Sequence, residues 1–533
     1  MIRIAVTSTF LISLLSLNMA IADEDPAEIA IGERLFLETR FAQAYFSTPD
    51  KADPALDNTI TTQGALRGPF AGKTMNCRAC HMVDEHAESA HGGMRTYADY
   101  AAHPPVPKRN DRAKTSGRNS MALVNISKPH ETQTEALFHF DGQFNNMEDL
   151  VRGTLTGRNY GWLVTESEQA IRHIAKVIRE DDGKGELAQE FGGSYKKILT
   201  ATDNNISTEH RLSKEFRVDV NKASDKEIFN AVAKLIAAYS SDLAFAANEN
   251  DEYNTSPYDA FLMKNNLPAK PNKGESLKSY NQRLIKQVNN LKNPIFVSAN
   301  EYTFKSHKQK FVFAKKELQG MKVFFAKSNN KSAGNCASCH TAPHFSDYGF
   351  HNSGLVQHNY DALHGHGAFN KLTIPNLLER NKNHNQYLPA TSKHPHASSR
   401  FKTVAAKENK GFTDLGLWNI YANPDMPAPQ KKLTAIMCFQ NNNQQCTPSA
   451  LLPKTIAAFK TPVLRDLGHS NPYMHTGQFD SLAEAVRFYI TSSQLAKSNQ
   501  LRNAENHLKE MSLSESDVEP LVAFIKSLNE DYD

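Results

Sequence analysis

The sequence contains the pattern Cys-x-x-Cys-His twice, and each copy lies in the same order of surrounding motifs. The first copy is residues 77–81 and the second is residues 336–340. Each is preceded by a Gly-x-x-Leu/Val-Phe pattern and followed by Gly-Gln-Phe, with a Val-Arg pair beginning nine residues after that last glycine. The spacers between the other motifs differ in length. A repeated order with unequal loops indicates two related domains, each carrying its own insertions.

Cys-x-x-Cys-His is the attachment pattern of c-type haem. Cys77 and Cys80 would add to the two vinyl groups of one haem and His81 would ligate its iron; Cys336, Cys339 and His340 would do the same for a second haem. A redox dithiol is an alternative, but it normally accompanies a βαβ pattern that this chain lacks. A four-cysteine zinc site is another, but 255 residues separate the two pairs.

The regular segments of the sequence are helical. Apolar residues recur at helical spacing around positions 171–178, 228–239 and 521–528, and alternating strand patterns are scarce. We therefore expect a mainly α fold with two cytochrome c-like helical domains related by duplication and an insert between them. The predicted divisions are residues 23–215 for the N-terminal haem domain, 216–300 for a helical and irregular insert or linker, and 301–533 for the C-terminal haem domain.

The N-terminus has the layout of a secretory signal peptide. Arg3 precedes a short apolar run over residues 4–17, and Ala20-Ile21-Ala22 offers a small-x-small cleavage site. We predict removal of residues 1–22 and a periplasmic mature chain; an uncleaved N-terminal anchor is the alternative. The net charge of +4 and mean hydropathy of −0.54 argue against a nucleic-acid binder and a protein with several membrane spans.

The two remaining cysteines, Cys438 and Cys446, flank a polar stretch. An oxidising compartment would favour a disulfide between them. Two unrelated free thiols are the alternative. Such a disulfide would cross-link a surface loop and would need no catalytic role.

The second axial ligand of each haem decides whether that haem transfers electrons or catalyses a reaction. An iron with two protein ligands can pass electrons, whereas an iron with an open face can bind a small oxidant. Tyr489 lies on the apolar stripe of a helix that Ser481 is expected to open, so its hydroxyl would point into the domain. The equivalent position in the first half is Thr154, too weak a donor to ligate iron. A core tyrosine is the plain alternative for Tyr489, and Met474 and His475 are rivals for its role. The histidines that could close the first haem are His86, His91 and His103.

Several further motifs resemble the bacterial di-haem cytochrome c peroxidases and their MauG-type relatives. Residues 459–467 (FKTPVLRDL) and 471–477 (NPYMHTG) look like the C-terminal signature of that family. Residues 118–120 and 140–142, together with both Cys-x-x-Cys-His patterns, resemble its N-terminal half. The resemblance covers most of the chain except about residues 216–300.

The resemblance implies a peroxide-reducing haem in the first half and an electron-entry haem in the second. It implies Tyr489 as the sixth ligand of the second haem, the position that holds Met in the peroxidases and Tyr in MauG-type enzymes. It also implies a calcium ion bound by the side chain of Asn119 and the carbonyls of Ser470 and Pro472. Two family positions depart from the peroxidase pattern: Phe140 replaces a tryptophan between the haems, and Tyr160 falls near the catalytic glutamate. The nearest downstream carboxylate is Glu166. The resemblance thus implies His81, Phe140, Tyr160 and Glu166 as the candidate catalytic residues, with Tyr160 or Glu166 in place of the missing acid.

The leading hypothesis is an exported di-haem peroxidase-like oxidoreductase that reduces hydrogen peroxide. The expected partners are hydrogen peroxide, a small electron-donor protein such as a cytochrome c or cupredoxin, and a second copy of the chain in a homodimer; nucleic acid is excluded. A MauG-type oxidase of a protein or organic substrate is one alternative, favoured by Tyr489 and Phe140. A di-haem electron carrier with both irons closed is the other.

Overall fold

The structure is a computed structural model, and it is mainly helical. It describes residues 25–47, 76–82, 95–96, 106–107, 109–111, 113, 115–201, 206–304, 309–327, 331–467 and 471–530. The predicted signal peptide, the three candidate histidines at positions 86, 91 and 103, and Ser470 lie outside the described residues. Within the described part of the chain, no helix combines the length and the apolar character needed to cross a membrane.

Seven helices form the first of the three largest apolar cores in the described part of the chain. They are α1 (Ala27–Phe36), α2 (Gln43–Ser47), α3 (Met147–Leu155), α4 (Ser167–Glu180), α5 (Glu186–Glu190), α6 (Tyr195–Thr200) and α7 (Asp225–Asp242). Asn146 caps α3 by accepting the backbone N–H of Asp149, and Ser224 and Glu227 form a capping box at the start of α7. The long helix α7 packs against α1, α3 and α4.

The second core belongs to the C-terminal half of the chain. Its centre is the contact between the helix that precedes the second Cys-x-x-Cys-His pattern and the last helix of the chain. Buried Arg465 ties this core together by pairing with Asp259 at 2.9 Å and with Glu530. The helices around this core are α8 (Pro257–Lys264), α9 (Leu277–Asn290), α10 (Lys315–Phe325), α16 (Leu482–Lys497), α17 (Asn506–Lys509) and α18 (Glu515–Lys526).

The third core is formed by the long segment that separates His340 from the second Gly-Gln-Phe motif. It is centred on buried aromatic and aliphatic side chains, including Phe401 and Trp418, and Leu137 joins it from the first half of the chain. Cys438 and Cys446 are joined by a disulfide in this segment, with Cα atoms 5.1 Å apart. Its helices are α11 (Leu355–His364), α12 (Leu377–Lys382), α13 (His384–Tyr387), α14 (Gln430–Gln440) and α15 (Pro448–Leu451).

Two short antiparallel sheets are described, each of two strands. In the first, β1 (His81–Met82) pairs with β2 (Arg95–Thr96), with His81 opposite Thr96. In the second, β3 (Phe350–His351) pairs with β4 (Phe459–Lys460), with Phe350 opposite Lys460. The second sheet brings together the two ends of the third core.

The predicted insert, residues 216–300, contributes helices to two different cores. Residues 225–242 form α7, whose buried face belongs to the first core. Residues 257–290 hold α8 and α9, which pack into the second core. The structure thus places both ends of the segment 216–300 inside helical cores, because each end carries an apolar face that must be buried.

Matching local structures occur in the two halves. Gly32 lies where α1 meets Leu235 of α7, and Gly320 lies where α10 meets Pro520 of α18; at both crossings the absence of a side chain allows close contact with a backbone carbonyl. Further along the chain, a bridge pairs Phe138 with Phe144 in one half, and Tyr473 with Phe479 in the other. Both bridged turns are followed at once by a capped helix, α3 or α16.

Candidate functional site

The first Cys-x-x-Cys-His segment forms a tight turn beside a cavity. Residues Cys77–Ala79 form one turn of 3-10 helix, and the N–H of Cys80 donates to the carbonyl of Cys77 at 3.1 Å. Both thiols are free. Burial raises the pKa of Cys77 to about 11 and that of Cys80 to about 12. Thiols that stay protonated are poor partners for thiol–disulfide exchange, so the environment disfavours the redox-dithiol alternative.

The second Cys-x-x-Cys-His segment has the same local geometry. Residues Cys336–Ser338 form a 3-10 turn, and the N–H of His340 donates to the carbonyl of Cys336 at 2.8 Å. Burial raises the pKa of Cys336 to about 12, and burial also raises the pKa of Cys339. The two turns thus present paired neutral thiols with a histidine directly after them.

Each of these histidines is oriented by a backbone carbonyl. His81 Nδ1 lies 2.8 Å from the carbonyl oxygen of Met121, and His340 Nδ1 lies 3.1 Å from that of Phe345. Because a carbonyl only accepts, Nδ1 must carry the proton in both rings, which leaves the Nε2 lone pair to ligate a metal. Burial lowers the pKa of both imidazoles and favours this neutral form. A fixed tautomer of this kind is typical of metal-ligating histidines.

The cavity at the first turn has a volume of about 350 Å³. Apolar side chains from α1, α3 and α7 form one wall, and polar groups around Arg118 form another. An apolar wall with a charged edge suits a porphyrin, whose face is apolar and whose propionates are anionic. The residues present therefore fit a covalently attached haem. Its apolar lining includes Phe36, Leu123, Ile126, Met147, Val151, Leu155 and Ile236.

Arg118 is the centre of the charged edge. Its guanidinium pairs with Asp141 at 2.7 Å and with Asp414 at 2.6 Å. Lys402 pairs with the same Asp141 at 3.1 Å and donates to Gln143 at 2.8 Å. Burial alone would raise the pKa of Asp141, but Arg118 and Lys402 hold it well below its usual range. The edge therefore joins the two halves of the chain through fully ionised groups.

His139 is a titratable residue in the cavity lining that the sequence did not single out. It lies in the same cavity as His81, and its backbone adopts a left-handed φ of 67°. Burial lowers its pKa to about 4, so the imidazole is neutral at pH 7. A signal for it existed in the repeat: His139 occupies the register position of Met474, which was already considered as a ligand and also has a left-handed φ of 72°.

Phe140 and Thr154 both line this cavity. The Phe140 ring is edge-on to the ring of His475 with centroids 6.3 Å apart, and its carbonyl accepts the N–H of Lys460. Phe140 therefore lies where the first half meets the second. Thr154 leaves the cavity wall without a strong iron ligand at the position equivalent to Tyr489.

The two residues proposed as substitutes for a catalytic acid lie elsewhere. The hydroxyl of Tyr160 is 3.2 Å from the sulfur of Cys77, so this buried side chain contacts the attachment turn. Glu166 pairs with Arg109 at 2.5 Å and accepts the N–H of Leu163 at the start of a 3-10 turn. Among the described residues, the cavity lining contains neither Tyr160 nor Glu166, although Asn159, the residue before Tyr160, does line the cavity.

Tyr489 lies beside the second attachment turn. It is on α16, which begins with the capping box of Ser481 and Glu484 as the sequence indicated. Burial raises the pKa of its phenol, and the thiols of Cys339 and Cys336 raise it further. The helix register therefore brings Tyr489 to the Cys-x-x-Cys-His segment of its own half.

The rival ligands Met474 and His475 lie on the turn before α16. The carbonyl of Met474 accepts the N–H of Gly477 at 2.9 Å. The ring of His475 stacks on Phe459, with centroids 3.6 Å apart, and its carbonyl accepts the N–H of Asn119 at 2.9 Å. His475 is thus held against the first half of the chain.

A charged group that the sequence did not reveal flanks the second turn. His351 Nε2 lies 2.8 Å from Asp347, and its Nδ1 lies 3.6 Å from Glu505. Burial opposes the charged form of His351, whereas Cys339 and Asp347 raise its pKa well above the usual value. Asp347 and His351 are four residues apart, whereas Glu505 is remote in sequence and only the fold brings it to them.

Two of the three predicted calcium ligands are neighbours. The side-chain amide of buried Asn119 donates to the carbonyl of Pro472 at 2.7 Å, and its side-chain oxygen accepts the N–H of Ser120. This contact crosses between the two halves of the chain. The third predicted ligand, Ser470, lies outside the described residues.

Sequence comparison finds relatives that match parts of the chain. No family model matches the chain. The cytochrome c peroxidase IdrP1 of Denitromonas iodatirespirans is 26% identical over 194 residues, which is 36% of each protein. The IdrP1 protein of Pseudomonas sp. (strain SCT) is 36% identical over 77 residues, and the methylamine utilization protein MauG of Methylorubrum extorquens is 39% identical over 71 residues. Over these segments the chain is similar to cytochrome c peroxidases and to MauG.

The similarity to these relatives is local. The aligned segments span 36% of the length of the Denitromonas protein and 19% of both the Pseudomonas protein and MauG. Among solved structures, the di-haem peroxidase BthA from Burkholderia thailandensis covers 95% of this chain at 17% identity and a TM-score of 0.43. A MauG-like protein associated with microbial copper homeostasis covers 95% at 14% identity and the same TM-score.

Proposed function

We propose that the chain is a di-haem c-type peroxidase-like oxidoreductase that reduces hydrogen peroxide to water. The observation that supports this best is the pair of matched turns, each with two buried neutral thiols and a histidine whose Nδ1 is held by a carbonyl. Cys77, Cys80 and His81 would hold one haem, and the second triad of Cys336, Cys339 and His340 would hold the other. Reduction of one peroxide to two waters takes two electrons and two protons, and the electrons would come from a small donor protein.

The two sites are proposed to have different roles. The first half offers Thr154 where the second half offers Tyr489, so the first iron would keep a face open to peroxide and the second would be closed. A bound haem iron supplies the redox chemistry in each half. The neighbouring side chains bind and orient: Arg118 would hold a propionate, and the Met121 carbonyl fixes the ring of His81.

Proton supply at the first site needs a titratable group on the cavity wall. Positioned proton transfer contributes roughly 10²–10⁴ to such a rate. We propose that neutral His139 is better placed than Tyr160 or Glu166 to accept one proton of hydrogen peroxide and pass it to the departing oxygen, because it lines the cavity. Asp414 also lines the cavity, but it is committed to Arg118.

Electrons would pass from the second site to the first through the face where Phe140 meets His475. Phenylalanine is harder to oxidise than the tryptophan that the resemblance implies at this position. Phe140 would therefore pack between the two sites without being oxidised and reduced itself. The ordered contacts Asn119–Pro472 and Arg118–Asp414 would keep the two halves at a fixed separation. A calcium ion on Asn119, Pro472 and Ser470 would strengthen the same face.

The architecture proposed for this activity is a duplication of a cytochrome c-like unit. The crossings at Gly32 and Gly320 and the bridges Phe138–Phe144 and Tyr473–Phe479 support it, because each bridge pair is 335 residues from its counterpart. The first unit would end with α7, and the second would run from α8 to the C-terminus with the third core as its insertion. Export to the periplasm, cleavage after residue 22 and a homodimer complete the proposal.

A MauG-type oxidase is the second candidate. Tyr489 beside the second turn and Phe140 at the interface favour it, as does the placement of Glu166 away from the cavity. Such an enzyme would use peroxide to oxidise a protein or organic substrate, with two electrons taken from that substrate. A carrier with both irons closed is less well supported, because Thr154 occupies the ligand position in the first half.

The test uses haem-loaded protein and hydrogen peroxide with a reduced small cytochrome c. We expect turnover well above that of free haem, and a His81→Gly variant that loses it while the spectrum of the second haem stays intact. Turnover that survives in His81→Gly would defeat the assignment of the first site. Carbon monoxide binding to the reduced protein distinguishes the proposed enzyme from an electron carrier. The enzyme would bind one equivalent, whereas a carrier with two closed irons would bind none.

A further inference from the structure

The third core contains a cluster of metal-ligand side chains that neither Cys-x-x-Cys-His site uses. His384, His394 and Asp425 each offer one ligand atom, and these atoms all lie within 4.8 Å of one another. The three residues come from α13, from the loop after it and from a distant turn. None of them is among the residues lining the cavity at Cys77.

The cluster is arranged around the carboxylate of Asp425. Its Oδ2 lies 2.7 Å from His394 Nδ1 and 3.7 Å from His384 Nε2. The side chains of Asp425 and His384 are 5% and 4% exposed, whereas His394 is 34% exposed. Two groups are therefore fixed in the interior, and the third lies where solvent can deliver an ion.

The buried imidazole has an unused lone pair. His384 Nε2 lies 3.2 Å from the carbonyl of Pro389, so Nε2 carries the proton and Nδ1 is a bare acceptor. That Nδ1 is buried and has no hydrogen-bond partner among the described residues. A buried acceptor without a partner costs free energy, and a metal ion held at Nδ1 would satisfy it. The protonated Nε2, 3.7 Å from Asp425, would then not be a ligand atom. The Nε2–H bond to a carbonyl is the contact that normally orients a histidine ligand.

The two rings also favour the neutral state that ligands require. They stack with centroids 3.9 Å apart and planes 14° from parallel. Two positive charges stacked at this distance would repel, so at least one ring stays neutral. The hydrogen bond from Thr391 helps keep Asp425 ionised, and an ion would replace the proton that His394 Nδ1 donates to Asp425, with that proton moving to Nε2 of the same ring.

We propose that His384, His394 and Asp425 bind one divalent transition-metal ion of the zinc or copper class. Two imidazoles and one carboxylate suit such ions, whereas calcium and magnesium prefer oxygen donors throughout. Metal–ligand bonds of roughly 2.0–2.2 Å place ligand atoms about 3–3.5 Å apart, so the side chains would draw together slightly. Three protein ligands leave one position for water on the exposed side of His394.

Two nearby groups bear on this site. The ammonium of Lys393 is 3.9 Å from Asp425, but its side chain is 69% exposed and can move into solvent. Asn423 accepts the backbone N–H of Asp425 and holds the turn in place. A bound ion would therefore cross-link α13, the following loop and this turn.

The test measures metal on the full-length, haem-loaded protein after chelator treatment and equilibration with Zn²⁺. We expect one zinc per chain beyond the two irons by elemental analysis, two imidazoles at about 2.0–2.1 Å by zinc X-ray absorption, and a higher midpoint of thermal unfolding with zinc. Asp425→Asn and His394→Gln should each weaken zinc binding at least tenfold. His396→Gln is the matched control, because His396 is exposed, two residues away and outside the cluster.

His394→Gln keeps the test valid if the buried substitution Asp425→Asn impairs folding, since His394 is partly exposed. The proposal is overturned if wild-type protein holds no zinc, or if His394→Gln binds zinc as tightly as His396→Gln. Zinc bound without imidazole ligands would overturn it as well. Peroxidase activity plays no part in these readouts.

Discussion

Replacing Gly320 with alanine tests the helix crossing that supports the second half of the molecule. A Cβ at this position would lie 1.9 Å from the carbonyl oxygen of Pro520 and 2.8 Å from Cβ of Phe524. To restore a 3.0 Å separation, α10 and α18 must move apart by about 1 Å. The obstacle is helix backbone and cannot rotate away as a long side chain would.

The expected effect combines two opposing contributions. Overpacking against a rigid core costs about 3 kcal/mol, and the better helix propensity of alanine returns about 1 kcal/mol. The net loss of about 2 kcal/mol in the free energy of unfolding would lower the midpoint of the affected transition by roughly 4–8 °C. Gly32→Ala should act in the same direction in the first half, since its Cβ would lie 2.3 Å from the carbonyl of Leu235.

Scanning calorimetry or thermal circular dichroism of the haem-loaded protein measures this change. Gly185→Ala is the matched control, because no atom lies within 4 Å of a Cβ placed there and its φ is −64°. The control should stay within about 1 kcal/mol of wild type, because Gly185 is the N-cap of α5 and alanine is a poorer N-cap than glycine. A Gly320→Ala protein as stable as Gly185→Ala would show that the two helices do not cross as described.

Three further predictions concern single side chains. Lys460 is buried, donates to the carbonyl of Leu137 at 2.6 Å and has a pKa that burial lowers to about 7. Above pH 7 the unfolded chain therefore binds more protons than the folded chain, and the free energy of unfolding should rise by about 2 kcal/mol between pH 7 and 9. Urea denaturation should detect this rise in wild type and not in Lys460→Met. Tyr489→Phe should increase carbon monoxide binding by the reduced protein from one to two equivalents, and unchanged stoichiometry would remove Tyr489 as a ligand. Tyr160→Phe should keep peroxide turnover within about tenfold of wild type, below the effect of a lost proton donor, and a larger loss in steady-state assays would return Tyr160 to the catalytic set.

Local chemistry made parts of the site predictable from sequence. Two thiols and a histidine must follow one another on one turn, so the spacing within Cys77–His81 specifies its own geometry. The position of Tyr489 followed from helix periodicity, because α16 keeps its register from the capping residue Ser481 onward. The repeat placed Thr154 at the cavity wall for the same reason.

Features that depend on tertiary packing could not be predicted in this way. Tyr160 lies in a 3-10 turn that directs its hydroxyl to Cys77, and spacing alone does not specify that direction. The third core was missed because three of its five helices, α12, α13 and α15, have only four to six residues and so show no helical periodicity. The cluster of His384, His394 and Asp425 spans three separate segments, so no sequence pattern reveals it.

The boundaries of the predicted insert show the same limit. Helix α7 was recognised from its periodicity, but periodicity does not tell which core a helix joins. Its contact with Gly32 places it in the first core. A Lys- and Asn-rich segment beyond it still forms α9, because Tyr280, Leu284 and Val288 provide enough buried surface on one face.

The most direct test of the central proposal is peroxide-dependent oxidation of a reduced small cytochrome c by the haem-loaded protein. The measurement compares wild type with His81→Gly and with His340→Gly at verified haem content. The account predicts turnover in wild type well above that of free haem, and loss of turnover in both variants because one lacks the peroxide site and the other the entry site. Wild-type protein with two attached haems and no turnover would contradict it.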